Sequence, residues 1–205
     1  MLITYIIIIF TASVSIPAFT NHELFAKMRF NAYIIKESKQ WYRFFSYGLL
    51  HANWAHLIMN MFVLYSFGGQ VEYLMKYCFG MQGNFYYAVL YVGAIFISVI
   101  PSFEKHKRDS WYNAVGASGA VSAVVFSSII FMPTSKIELL FLPIPIPAAI
   151  FGILYLVYSA YMAKRGTDNI GHDAHFWGAL FGAIFTIAIK PELALLFLQQ
   201  LLGIF

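Results

Sequence analysis

The chain has 205 residues, of which 60% are hydrophobic, 19% aromatic and only 11% charged. Soluble domains carry about a quarter charged residues, so this balance, with its positive mean hydropathy, excludes an ordinary water-soluble fold and reads as a one-domain polytopic membrane protein. The net charge of +4 comes without a basic block beside a soluble fold and points to no nucleic acid; the single Cys78 excludes a disulfide framework or a cysteine-based metal site.

Residues 2–19 form an uninterrupted apolar run rich in isoleucine. It lacks the basic flank of a secretory signal and reads as a first span. A polar, aromatic loop follows over 20–50, carrying Lys27, Arg29, Lys36, Lys39 and Arg43. Interleaved Phe25, Met28, Phe30, Tyr33, Ile34 and Ile35 make it amphipathic, so it is expected to lie in the membrane interface, with Trp41, Tyr42 and Arg43 as anchors.

The second span, 52–71, holds His51, Asn53, His56, Asn60, Ser66 and Gln70 within or beside an apolar helix. His56 and Asn60 are four apart and share a face. Polar side chains are costly in lipid, so they face the bundle interior or water. The spacing alone serves a site or plain interhelical hydrogen bonding equally well.

A third span over 85–100 ends at Pro101, and a charged connection covers 104–109. The fourth, 114–132, begins with Asn113-Ala-Val-Gly116-Ala-Ser118-Gly119 and stops near Pro133. Nothing bulky shields the Ser118 hydroxyl, and the first turn of a helix offers free N–H groups and a positive dipole end to an oxyanion. A run of small residues also serves close helix packing, so this stretch alone is a weak signal. A loop with Lys136 and Glu138 leads to Pro143-Ile-Pro-Ile-Pro147, expected to stay extended until its last proline opens a fifth span over 147–162. After a loop over 164–173, the sixth span, 174–189, opens with His175 and carries a Gly178-x-x-x-Gly182 pair on the same face. Residues 193–205 are apolar but too short to span, and read as an interfacial or bundle-packed helix.

Alternating topology puts the starts of the second, fourth and sixth spans on one side of the membrane, which gathers His51, His56, Ser118 and His175 at similar depth. A serine needs a base to become a nucleophile, and a neutral imidazole suits that role; an asparagine or histidine donor suits an oxyanion.

In this order Trp41-Tyr-Arg43, His51-x4-His56-x3-Asn60, Gly68-Gly69-x2-Glu72, Gly116-x-Ser118-Gly119 and Ala174-His175-x2-Gly178-x3-Gly182 resemble the rhomboid family of intramembrane serine proteases. The resemblance covers roughly residues 41–182. It implies an all-α bundle of six membrane spans and a Ser–His dyad without an acid. Ser118 would be the nucleophile and His175 the general base. His56, Asn60 and the Ser118 N–H would form the oxyanion hole. His51 would be structural or water-retaining, Gly116 and Gly119 would frame the serine, and Gly178 and Gly182 would bring the sixth helix against the fourth. Arg43 would anchor a membrane-embedded loop. Substrates would be membrane-spanning proteins whose helix unwinds near small or helix-breaking residues, in a bacterial inner membrane, with no metal or cofactor.

Two features depart from the family pattern. Many bacterial members carry an aromatic residue four after the nucleophile, stacked under the base; here that position is Ser122, so ring support would fall to Trp177 or Tyr112. Lys and Arg also gather in the loops after the first, third and fifth spans, which the positive-inside rule makes cytoplasmic, whereas the family places its active-site side outside. The family orientation is retained here, with the basic stems of the first loop embedded in the interface.

The alternatives are an inert rhomboid-like protein that binds membrane clients, a transporter with a polar path, and a zinc site on His51, His56, His172 and His175. No inverted repeat supports a transporter, and no His-Glu-x-x-His pattern supports zinc. Asp173 is expected to be a solvated loop residue.

Overall fold

The structure, a computed structural model, describes residues 1–139, 142–166 and 170–203. Parts of the expected 164–173 loop and the end of the 193–205 segment therefore lie outside the described residues.

The architecture is built around one short helix. Helix α8 (Ser118–Phe131) is apolar on every side, and after Ser118 all of its residues are buried. A helix hydrophobic all round has to be wrapped by others. Its neighbours are α5 (Trp54–Phe79), α6 (Gln82–Ser98), α9 (Ala148–Arg165) and α10 (His172–Ile189). Helix α1 (Leu2–Ala18) packs outside α5. Fourteen residues rise only about 21 Å, against about 39 Å for the 26 residues of α5.

Glycines set how closely the central helices meet. A Cβ on Gly178 would run into the Gly119 carbonyl, and one on Gly182 into that of Ala123. Backbone meets backbone there, as small-residue faces allow in membranes. Polar side chains then tie α8 to different helices: Ser127 accepts from Thr186 Oγ1 of α10 (2.8 Å), and Ser128 donates to Gln70 of α5 (2.9 Å). Buried Glu72 accepts the first-turn N–H groups of Ile3 (3.1 Å) and Thr4 (3.0 Å) together with the Thr4 hydroxyl, so one carboxylate caps the start of α1 at its positive dipole end.

The expected loop over 20–50 is helical in pieces: α2 (His22–Met28), α3 (Ala32–Ser38), α4 (Arg43–Ser46) and one 3-10 turn, Tyr47–Leu49. Asn21 and Asn31 cap α2 and α3. The third apolar run does not stop at Pro101. A break at Val99 leads into α7 (Ile100–His106), where proline sits in the first turn and lacks only an N–H that would have had no partner.

The described residues are predominantly helical, as expected, with one small two-stranded sheet beside the helices. Strands β1 (Lys136–Leu139) and β2 (Leu142–Pro147) pair antiparallel, with Ile137 opposite Ile146. Alternating prolines place their missing N–H groups on one edge of a period-two strand, leaving the isoleucine N–H groups for the ladder. Helix α11 (Glu192–Leu202) follows α10 with a 111° bend. Among the described residues one helical stretch, Gln82–His106, is both long and apolar enough by composition to cross a membrane; α10 with α11 passes only as a bent pair. His56, Asn60, Gln70 and Glu72 lower the hydropathy of α5, and α1 and α8 are shorter apolar helices.

His51 ties α1 to the segment before α5. The Ser15 hydroxyl donates to the Leu49 carbonyl (2.7 Å), so the ring N–H at Nδ1 of His51 is the donor in its 2.9 Å contact with Ser15. Burial, with His56 adding a smaller push, lowers the His51 pKa from 6.5 to about 3, so the ring is neutral.

Two outcomes follow from this packing. Gly182→Ala should lower thermal stability by about 1–3 kcal/mol through overpacking against Ala123, read by unfolding in detergent. The unfolded chain protonates His51 near 6.5 while the folded chain does so only near 3, so its contribution is present above 6.5 and is lost as pH falls. Between pH 6.5 and about 5, above the carboxylate range, wild-type stability should fall with pH, and the slope should be shallower in His51→Asn.

Candidate active site

Ser118 is the first residue of α8, and its N-cap, Ala117, offers no side-chain acceptor. The first-turn N–H groups of α8 are therefore left for a ligand. The segment leading to it is zipped to the first loop. Phe30 and Ala114 exchange backbone bonds (3.0 and 3.1 Å), and the Gly116 N–H donates to the Tyr47 carbonyl (3.1 Å). Asn31 Nδ2 donates to Ser110 O (2.9 Å) and Asn113 Oδ1 (3.0 Å).

Gly116 is required on two counts. Its φ is +119°, and a Cβ there would meet His56 at Cε1 (2.7 Å) and Nε2 (2.9 Å). The His56 ring thus lies on the backbone two residues before Ser118. Asn53 caps α5 by accepting the His56 N–H (2.9 Å). The Ala52 N–H points at His56 Nδ1 (3.4 Å), which leaves Nε2 as the ring N–H. Asn60, one turn further, uses one Nδ2 hydrogen on the His56 carbonyl (2.9 Å) and keeps the other.

Asn60, Ser118 and His175 line one cavity of about 420 Å³ between α5, α8, α9, α10 and β1. His51 and His56 are not in its lining; their rings meet edge-on at 5.0 Å behind Gly116. Gly119 faces Ser98 and the Ala174 carbonyl, so α10 comes close enough to bring His175 to the level of Ser118. Arg43 stands away from the cavity. It donates to the carbonyls of Ala26 (2.9 Å) and Arg29 (2.7 Å) and to Gln40 (2.7 Å), pinning the first loop, and burial lowers its pKa.

The ring beside His175 is neither Trp177 nor Tyr112. Trp177 is half-exposed against Phe176, and Tyr112 stacks on His106 at 3.7 Å. Tyr155 of α9 lies over His175 instead, with centroids 6.4 Å apart and planes at 28°. Its hydroxyl sits 2.6 Å from Ser122 Oγ, so the serine at the unexpected position is the partner of the ring. No spacing within one helix could reveal a pairing between α8 and α9, because α8 carries several serines and α9 several tyrosines, each needing a hydroxyl partner.

Asp173 is not a free loop residue. It accepts from the Ser102 hydroxyl of α7 and from the Ala174 N–H (2.9 Å) in the first turn of α10. His172 is buried edge-on to Tyr158 (5.6 Å) and to His175 (5.8 Å). Among the described residues no three His, Cys, Asp or Glu side chains gather to hold a metal ion.

Comparison with known proteins agrees with this arrangement of motifs. A family model described as a Rhomboid domain matches residues 38–192. The chain is 30% identical over 142 residues to RHOMBOID-like protein 12, mitochondrial, of Arabidopsis thaliana, covering 65% of this chain and 42% of that protein. It is 30% identical over 169 residues to Rhomboid-like protein 11, chloroplastic, of the same plant, covering 74% and 54%. Rhomboid protease AarA of Providencia stuartii is 27% identical over 179 residues, covering 77% and 59%. The chain thus spans about half the length of the relatives it matches. Two of the three are named for mitochondria and chloroplasts, which leaves the expected bacterial inner membrane without support. The family is membrane-embedded, and with its model covering most of the sequence, the chain belongs to the rhomboid family.

Proposed function

We propose that the protein is an intramembrane serine endopeptidase acting on membrane-spanning proteins through Ser118 and His175, within a bundle whose six apolar runs each cross the bilayer. The observation that carries this reading is the shared cavity of Ser118, His175 and Asn60 at the open start of α8. Ser118 Oγ attacks the scissile carbonyl carbon while His175 takes its proton. The carbonyl oxygen becomes an oxyanion, met by the Ser118 N–H and the free Nδ2 hydrogen of Asn60, while His56, outside the cavity lining, would have to turn past Gly116 to add its Nε2–H. Collapse expels the amine, which takes the proton from His175, and leaves an acyl-enzyme on Ser118. Water, deprotonated by His175, then releases the acid and restores the serine.

Substrate class follows from the same cavity. It is lined by apolar side chains of α5, α8 and α9, such as Met59, Phe62, Val125 and Phe151, together with the polar groups of Asn60, Ser118 and His175 and with Lys136 and Glu138 of β1. A helical peptide bond hides its carbonyl in the helix, so a segment must be extended at Ser118; small or helix-breaking residues make that cheap. An inert client-binding member of the family would keep the bundle and lose the chemistry.

Labelling of purified protein by a fluorophosphonate separates these readings. Wild type should label, and Ser118→Ala and His175→Ala should each reduce the rate by about a hundredfold or more, at unchanged melting temperature. Asn60→Ala should slow labelling by roughly tenfold to a hundredfold. A well-folded wild type that does not label contradicts the enzyme and leaves the client-binding protein.

A further inference from the structure

The Ser122–Tyr155 bond is unused by the chemistry above, yet it meets the base. Ser122 lies one turn beyond Ser118 on α8, on the same wall of the cavity. Its hydroxyl holds that of Tyr155 at 2.6 Å. The tyrosine ring is boxed in by Phe126 of α8 (5.7 Å), Phe151 of its own helix (5.8 Å) and His175 of α10 (6.4 Å). One ring thus joins three helices at the base.

Helix α9 packs on α10 as well as on α8, and its seat on α8 is shallow. Its buried residues are only Ala148, Ala149, Gly152 and Ser159, while Ile153, Leu154 and Val157 face outward and Tyr158 meets His172 of α10 edge-on. Small residues give α9 a shallow seat on α8, where Gly152 approaches Ile129 and Phe126. The hydroxyl pair is a directional contact in an otherwise apolar seam, and in such surroundings it is strong and sensitive to position.

Resting on the reading of Ser118 and His175 as nucleophile and base, we propose that Tyr155 is a positioning residue whose Ser122 bond makes the aim of His175 depend on the seating of α9. An imidazole turns about two side-chain bonds, and a roughly parallel ring held beside it, 6.4 Å between centroids, limits that turning. The bond fixes the ring only while α9 rests on α8. Since α9 also lines the cavity through Phe151 and Tyr155, a segment entering from that side bears directly on the same contact. Access and competence of the base are coupled through one hydrogen bond.

The test uses the full chain in detergent and fluorophosphonate labelling followed to saturation, which separates the maximal rate from the half-saturating concentration. Ser122→Ala and Tyr155→Phe each remove the bond and keep the fold-scale packing. Each should lower the maximal rate about tenfold, the effect of one hydrogen bond, with half-saturation unchanged. The double variant should be no slower than either single one, because both remove the same interaction. A purely structural role would reduce the fraction of protein that labels and leave the rate of the remainder alone. Wild-type rates in both single variants, multiplied losses in the double variant, or a loss of amplitude alone would each overturn the proposal while the dyad stands. Failure of wild type to label through Ser118 would overturn both.

Discussion

The contact on which the structure depends is the backbone approach of α10 to α8. Gly178 and Gly182 let α10 lie against the carbonyls of Gly119 and Ala123 with no side chain between. Any larger residue would push α10 outward by the width of a methyl group or more. His175 stands one turn before Gly178, so that displacement would carry it away from the wall that holds Ser118. Dispersion and close packing drive this approach, since apolar surface gains little by leaving lipid for another helix. Two glycines therefore set the height and distance of an imidazole that neither of them touches.

Polar groups inside the bundle follow a consistent logic. A hydroxyl, amide or carboxylate in an apolar interior is costly unless bonded, and here several are bonded across helices. Ser122, Ser127 and Ser128 of α8 reach α9, α10 and α5 in turn, and Glu72 of α5 holds the start of α1. At the start of α8 the pattern changes. Its cap has no side-chain acceptor, Asn60 keeps a spare donor, and the cavity opens there. The first loop, pinned by Arg43 and zipped to 110–116, supports this end and holds Gly116 in the conformation that admits His56.

Much of this was legible in the sequence because the informative residues are local. Gly178 and Gly182 declare a close face by spacing, Gly116 and Gly119 declare an open serine, and polar residues at His56 and Asn60 stand out against an apolar run. Boundaries of apolar runs were less legible: Pro101 suggested an end, but proline in a first turn costs no bond, and helix resumes as α7. The Pro-Ile-Pro-Ile-Pro segment read as extended, and its pairing with 136–139 depended on a partner strand whose register no pattern announced. Tyr155 was out of reach for the same reason. Its meaning lies in two other helices, and the departure at Ser122 marked a gap without naming what fills it.

The proposed chemistry requires one reacting atom to touch Ser118 while its oxygen faces Asn60 and the start of α8. The most direct measurement is an experimental structure of the protein reacted with a peptidyl phosphonate, which mimics the tetrahedral intermediate. A bond from Ser118 Oγ to phosphorus is expected. A phosphoryl oxygen should lie within hydrogen-bond distance of the Ser118 N–H and Asn60 Nδ2, with His175 beside the leaving-group side near Tyr155. An adduct on another residue, or a phosphoryl oxygen turned away from Asn60 and the α8 start, would contradict the proposed chemistry.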